Sequence, residues 1–295
     1  MDSLNKTVFN ENHMHIFMNG TDYTRAVRDM REGRQKEVVR RNLAIYQSCG
    51  ITYLRDGGDH YGAGVYAREI APEYGITYRT PCFGIHKKGH YGKIVGQGFF
   101  DMTEYGSLVK RAISEKCDFI KIMISGIMDF SDGGGLSEDS LSDKEIREMI
   151  HIAHEEGKAV MAHCNGARAV KAAVAAGVDS LEHGNFMDEE AIELLSKSDT
   201  VYVPTVSTIR NLIGDARFPE ETMKKLWERQ KYVIASCYEK GVHLALGSDA
   251  GAYLVPHGQG IADEYEAFLE AVGSEHEEAL IKRLKEGEKR IMELF

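Results

Sequence analysis

Apolar and polar positions along the chain alternate between two kinds of segment. Short runs rich in β-branched and aromatic residues recur as HMHIFM (13–18), ITYLRD (51–56), ITYRTPCFGI (76–85) and FIKIMIS (119–125). The series continues with KAVMAHC (158–164), VDSLEHG (178–184), VYVPTV (201–206) and VHLALGSD (242–249). Runs of this length and composition predict buried strands. Between them lie stretches with helical spacing. In REGRQKEVVRRNLAIYQSCG, Val38, Leu43, Ile45 and Tyr46 approximate one apolar face. DMTEYGSLVKRAISEK, SDKEIREMIHIAHEEG and GARAVKAAVAAG read the same way. Gly50, Gly157, Gly177 and Gly241 each stand just before a strand, where a left-handed residue closes a helix. Strands alternating with helices imply βαβ units and a parallel sheet. Eight such strands predict an α/β chain closed into a (β/α)8 TIM-like barrel. A doubly wound open sheet is the alternative, but no Gly-rich phosphate loop follows the first strand.

Composition narrows the partners more than the fold. The 295 residues are 43% hydrophobic and 28% charged, enough for a large core. No Pro/Ser-rich linker or shift in composition divides them, so 1–295 reads as one barrel domain. The balance of 36 basic against 46 acidic residues gives −10, which repels phosphate backbones and argues against nucleic acid. The run Arg25, Arg28, Arg31, Arg34 is interrupted by acids and reads as a solvated helical face. No stretch approaches the ~20 apolar residues of a membrane span. The opening MDSLNKTVFNENHMHIF lacks the basic start and apolar run of a secretory signal. Five scattered cysteines, none in CxxC spacing, suit reduced thiols in the cytoplasm and exclude a thiolate zinc site. The expected partners are a small-molecule substrate and, in a homo-oligomer, further copies of the chain.

Chemistry concentrates where the predicted strands end. His13 and His15 are two apart and so share one side of strand one. Lys121 sits inside the apolar run of strand four. Strand five ends in His163, strand six in His183 and strand eight in Asp249. Each alone has an ordinary structural reading: a packed histidine, or an aspartate capping a helix. Lys121 is harder to place so, because a buried ammonium carries a severe desolvation cost. In a barrel, all these ends converge on one mouth. Four imidazoles and a carboxylate suit zinc or a similar divalent ion. A lysine that has reacted with carbon dioxide becomes a carbamate, whose two oxygens can bridge two such ions.

With those residues in place, the chain resembles the amidohydrolase superfamily, in its imidazolonepropionase-like and prolidase-like (Xaa-Pro dipeptidase-like) branch. The resemblance runs from residue 11 to about 270 and rests on an ordered set of motifs. These are ENHMH, ITYLRDGGD, IKIMISG, EEGKAVMAHCNGARAVKAAVAAGVDSLEHG, YVPT and GSDAG. It implies His13, His15 and Asp249 on one metal, His163 and His183 on a second, and carboxylated Lys121 bridging both. It also implies Asp249 as the proton shuttle for a bridging hydroxide that attacks an amide-type carbonyl. The chain departs from the pattern in three places. Glu11 stands for the common Asp. The flanking β-sandwich is expected to be absent or vestigial. Asn165 occupies the position where peptidase-like relatives often carry a tyrosine that donates to the substrate carbonyl.

His90, in Gly89-His90 after strand three, and His257, after strand eight, are read with Asn165 as substrate contacts. Loops 18–33 and 207–220 are expected to set specificity, with Arg25 or Arg28 pairing with a substrate carboxylate. The expected substrate is a small amide: an N-acyl amino acid, a dipeptide or a cyclic amide. An ester, lactone or phosphotriester hydrolase keeps the same centre. A scaffold that binds without turnover is the reading outside enzymology.

Overall fold

The computed structural model describes residues 8–131 and 134–295. The first seven residues of the segment read as lacking a secretory signal, 1–7, lie outside the described residues. The strands are β1 (Glu11–Met14), β2 (Tyr53–Asp56), β3 (Thr77–Arg79), β4 (Gly84–Lys87), β5 (Gly96–Phe99) and β6 (Ile120–Met123). They continue as β7 (Met128–Asp129), β8 (Gly135–Leu136), β9 (Val160–Cys164), β10 (Ser180–His183), β11 (Val201–Val203) and β12 (His243–Leu244). One parallel sheet runs β1-β2-β3 and another β12-β11-β10-β9-β6-β4-β5, while β7 and β8 form a small antiparallel pair.

Two seams join the large sheets. The predicted third run is split: β3 pairs with β2, whereas β4 pairs with β6 through Gly84 opposite Lys121. Between the halves lie Pro81, which has no N–H to give a ladder, and Cys82 at φ 67°. At the other seam the Asp249 N–H donates to the His13 carbonyl (2.7 Å), and the His15 N–H to that of Ala250 (2.8 Å). The eighth run is regular only over His243–Leu244. Beyond it the chain presses so closely on β1 that a Cβ at Gly247 would lie 2.8 Å from His13 Cβ. The architecture is α/β, a (β/α)8 barrel. Among the described residues no β-sandwich flanks it.

Helices cover the barrel as the periodicity predicts. Gln35–Ser48 buries Val38, Val39, Leu43 and Tyr46. Asp143–Glu155 begins with a Ser142/Glu145 capping box that satisfies its first N–H groups. Gly50, Gly157, Gly177 and Gly241 all hold positive φ, as expected of helix ends. Inside the barrel, Tyr53, Phe119, Met161 and Val201 pack with Phe295 from the end of the chain. Above them Arg55 is fully buried, donating to the Asn12 carbonyl (2.7 Å) and to Glu182 (3.0 Å). This layer is the floor on which the strand-end residues stand.

Candidate metal centre and active site

A cavity of about 220 Å³ opens at the C-terminal ends of the strands. Its walls include His13, His15, Lys121, His163, Asn165, His183 and Asp249, so most of the sequence-predicted residues meet there. The rings lie close together: 5.7 Å between His13 and His15, 5.1 Å between His13 and His183, and 4.6 Å between His163 and His183. His13, His15 and Asp249 offer ligand atoms all within 4.8 Å of one another. His163 and His183 line the same cavity but fall outside that tight group, and Lys121 lines it as well.

Each imidazole is held by one nitrogen and leaves the other open. His13 Nδ1 lies 2.6 Å from Glu182 Oε2, and its Nε2 is 3.7 Å from Asp249 Oδ1. His15 Nδ1 faces the Gly58 carbonyl at 3.3 Å, with Nε2 3.5 Å from Asp249 Oδ1. His163 donates from Nε2 to the Gly126 carbonyl at 3.1 Å. His183 donates from Nδ1 to Thr205 Oγ1 at 2.6 Å; that hydroxyl gives its own proton to the Pro204 carbonyl. Burial first, and then neighbouring positive charge, pulls all four below the usual histidine range, His15 and His163 to about 3. They are therefore neutral near pH 7, with a fixed proton and a free lone pair. A metal-bound histidine needs that state.

Lys121 completes the donor set in an unusual way. Its ammonium nitrogen is buried and has no hydrogen-bond partner among the described residues. Burial lowers its pKa, against the opposing pull of Glu182 and Asp249. Asp249 moves the other way, its carboxyl raised by burial. His183 (φ 67°) and Asp249 (φ 59°) both hold left-handed backbone, a strain tolerated where surrounding structure fixes it. Four neutral imidazoles, a carboxylate and an orphaned lysine fit divalent ions far better than they fit an apolar core.

A family model described as the amidohydrolase family matches residues 9–262. The chain belongs to the amidohydrolase family. An uncharacterised protein of Mycobacterium bovis is 34% identical over 145 residues, which are 47% of this chain and 38% of that protein. Ochratoxinase of Aspergillus niger is 28% identical over 194 residues, 62% of this chain and 38% of its own length. The matches thus span well under half of these curated relatives. Among solved structures, a Xaa-Pro dipeptidase with bound methionine superposes with a TM-score of 0.73 at 23% identity, over 96% of this chain and 75% of that one. The A. niger ochratoxinase structure gives 0.74 at 21% identity, over 93% and 68%. These likenesses carry the barrel fold to this member of the amidohydrolase family.

Around the centre, several expected contacts stand elsewhere. Asn165 lines the cavity, but its Nδ2 donates to the Gly126 carbonyl (3.0 Å) and its Oδ1 accepts from the Asn185 N–H (3.0 Å). His257 is buried outside the cavity, with Nδ1 on Tyr46 Oη and Nε2 on the Met18 carbonyl, both at 2.9 Å. Both its nitrogens are engaged, so it braces the first loop against the last. His90 is part-exposed beside Glu138 (3.5 Å) and is not in the cavity wall. Arg25 and Arg28 are exposed and line separate surface hollows. Loop 207–220 does reach the cavity, through Thr208, Leu212 and Phe218, whereas loop 18–33 does not.

The structure also adds residues that the motifs hid. Ile127, Met128 and Phe130 come from the segment after β6, and Phe130 meets Phe218 edge-on at 5.2 Å. Tyr91 lies with its ring 4.9 Å from that of His163. Glu182 orients His13 and neutralises Arg55. A charged residue inside an otherwise buried strand was the available signal for both Glu182 and Arg55, the same signal that singled out Lys121.

Proposed function

We propose that this chain, acting as one barrel domain, is a metal-dependent hydrolase of a small amide-type substrate. Residues His13, His15 and Asp249 would hold one divalent ion and His163 and His183 a second, with carboxylated Lys121 shared between them. Zinc suits this donor set. When bound, such ions supply Lewis acidity that polarises a carbonyl and lowers the pKa of water. The observation that carries the reading is Lys121: a buried nitrogen with no partner, facing four neutral imidazoles.

The chain's own residues then have separable tasks. Glu182, Gly58, Gly126 and Thr205 fix the four rings so that each lone pair points inward. Asp249 takes a proton from the attacking water and delivers it to the departing nitrogen as the carbon–nitrogen bond breaks. Burial keeps that carboxyl basic enough to accept the proton. Ile127, Met128, Phe130, Leu212 and Phe218 give the mouth an apolar wall that suits an aliphatic or aromatic substituent. Arg217, 3.5 Å over the Tyr253 ring at the rim, is positioned to pair with a substrate carboxylate where Arg25 and Arg28 are not. Solved neighbours named as a prolidase and as a bottromycin amidohydrolase support an amide over an ester. Five free cysteines, four of them buried, support a reducing compartment such as the cytoplasm.

The test is metal-dependent turnover of purified protein against N-acyl amino acids, dipeptides, cyclic amides and lactones. Acid and amine should appear together, and chelation should abolish their release. Full metal occupancy without turnover would favour a binding scaffold.

A further inference from the structure

Hydrolysis of an amide builds negative charge on the carbonyl oxygen, and a preorganised donor at that point is usually a large part of the rate. Side chains around the cavity can be sorted by whether their protons are already engaged. Thr208 gives its hydroxyl proton to the Thr205 carbonyl (2.8 Å), and Tyr253 donates to Asp215 (2.9 Å). Asn165 Nδ2 gives one proton to the Gly126 carbonyl (3.0 Å) and faces His163 Nε2 at 3.4 Å. Apart from Lys121, two wall residues keep donor protons with no partner among the described residues: Tyr91 Oη and Asn185 Nδ2.

The two differ in placement. Asn185 is turned by Gln230, which donates to its Oδ1. Tyr91 packs its ring on His163, a residue of the proposed second metal position. Its own backbone N–H is pinned to Glu138 Oε1 at 2.6 Å, so the loop is held without help from the phenol. The next residue, Gly92, has φ 126°, and a Cβ there would lie 2.6 Å from His86 Cβ and 2.7 Å from Met123 Cγ. Only glycine lets the loop come down so far onto β4 and β6. The turn thus brings a phenol to the cavity and leaves its proton free.

We propose that Tyr91 is a catalytic residue that donates a hydrogen bond to the scissile carbonyl oxygen, the task for which Asn165 is no longer available. The phenol keeps its proton throughout: no bond to it breaks, and only the strength of the hydrogen bond changes as charge develops. The inference rests on the hydrolase reading above.

The experiment compares metal-loaded wild type with Tyr91→Phe and Asn185→Ala. In Tyr91→Phe, kcat on the best amide should fall about 100-fold, with KM and metal content nearly unchanged. By calorimetry, the same variant should lose about tenfold in affinity for phenylphosphonate, a tetrahedral oxyanion, while planar benzoate binds almost as before. Unchanged kcat, equal losses for both anions, or a loss confined to Asn185→Ala would overturn the proposal. Absence of amide turnover by the wild type would count against the hydrolase reading, and the two anions would still judge Tyr91.

Discussion

His183 and His257 are buried to nearly the same extent, 8% and 7% exposed; the first ends strand β10 and the second lies in the loop after β12. Burial depresses both pKa values, so both are neutral near pH 7. Their difference lies in the hydrogen bonds. His257 donates from one nitrogen and accepts at the other, which leaves it chemically complete. His183 donates to Thr205 and keeps a lone pair open to the cavity, as do its three neighbours. What separates a candidate ligand from a brace in this molecule is therefore the number of free ring nitrogens. Neither burial nor position after a strand decides it.

The comparison breaks most severely at the open side. Asp249→Asn removes the proposed proton carrier and should lower turnover by about 10³-fold, with substrate affinity largely kept. Steady-state kinetics showing a loss smaller than about tenfold would move the base to another residue.

Beneath the rings, Glu182 is the acceptor for His13 and the counter-ion of fully buried Arg55. Glu182→Ala leaves that guanidinium unpaired and should cost about 3–5 kcal/mol in urea denaturation. A cost below about 1 kcal/mol would mean that water or Ser180 replaces it.

On the braced side, His257→Gln should lose about 1–3 kcal/mol of stability at pH 8 and leave turnover almost unchanged. The pH dependence has a definite sign. Folding lowers the His257 pKa from 6.5 to about 4, so below pH 6.5 the unfolded chain binds the extra proton. Its stabilisation is complete above 6.5 and fades as pH falls toward 4. The gap between wild type and variant should narrow by about 2 kcal/mol from pH 8 to pH 5. A gap that stays constant would place an ordinary histidine there.

These outcomes also mark what the sequence could tell. Strand-length apolar runs and helix-ending glycines suffice for the barrel, because burial period and left-handed backbone are local properties. The six candidate ligands were legible because charged and imidazole groups in buried strands demand a reason. That His257 and His90 stand outside the cavity wall is not legible in the sequence, since a histidine's hydrogen-bond partners lie far away along the chain: Tyr46 and Met18 in one case, Glu138 in the other. Tyr91 is hidden in the sequence for a related reason. A tyrosine in a loop carries no periodic signal, and only the packing of Gly92 on His86 and Met123 turns it toward the centre. The split of the third strand follows from Pro81, whose missing N–H breaks the ladder within the run ITYRTPCFGI.

The central claim is that the strand-end cluster holds two divalent ions with distinct ligand sets. It is tested most directly by elemental analysis of wild type and His163→Ala. Wild type should carry about two ions per chain and the variant about one, with His13, His15 and Asp249 retaining theirs. Equal metal content in the two proteins, or a wild type with no more than one ion, would contradict it.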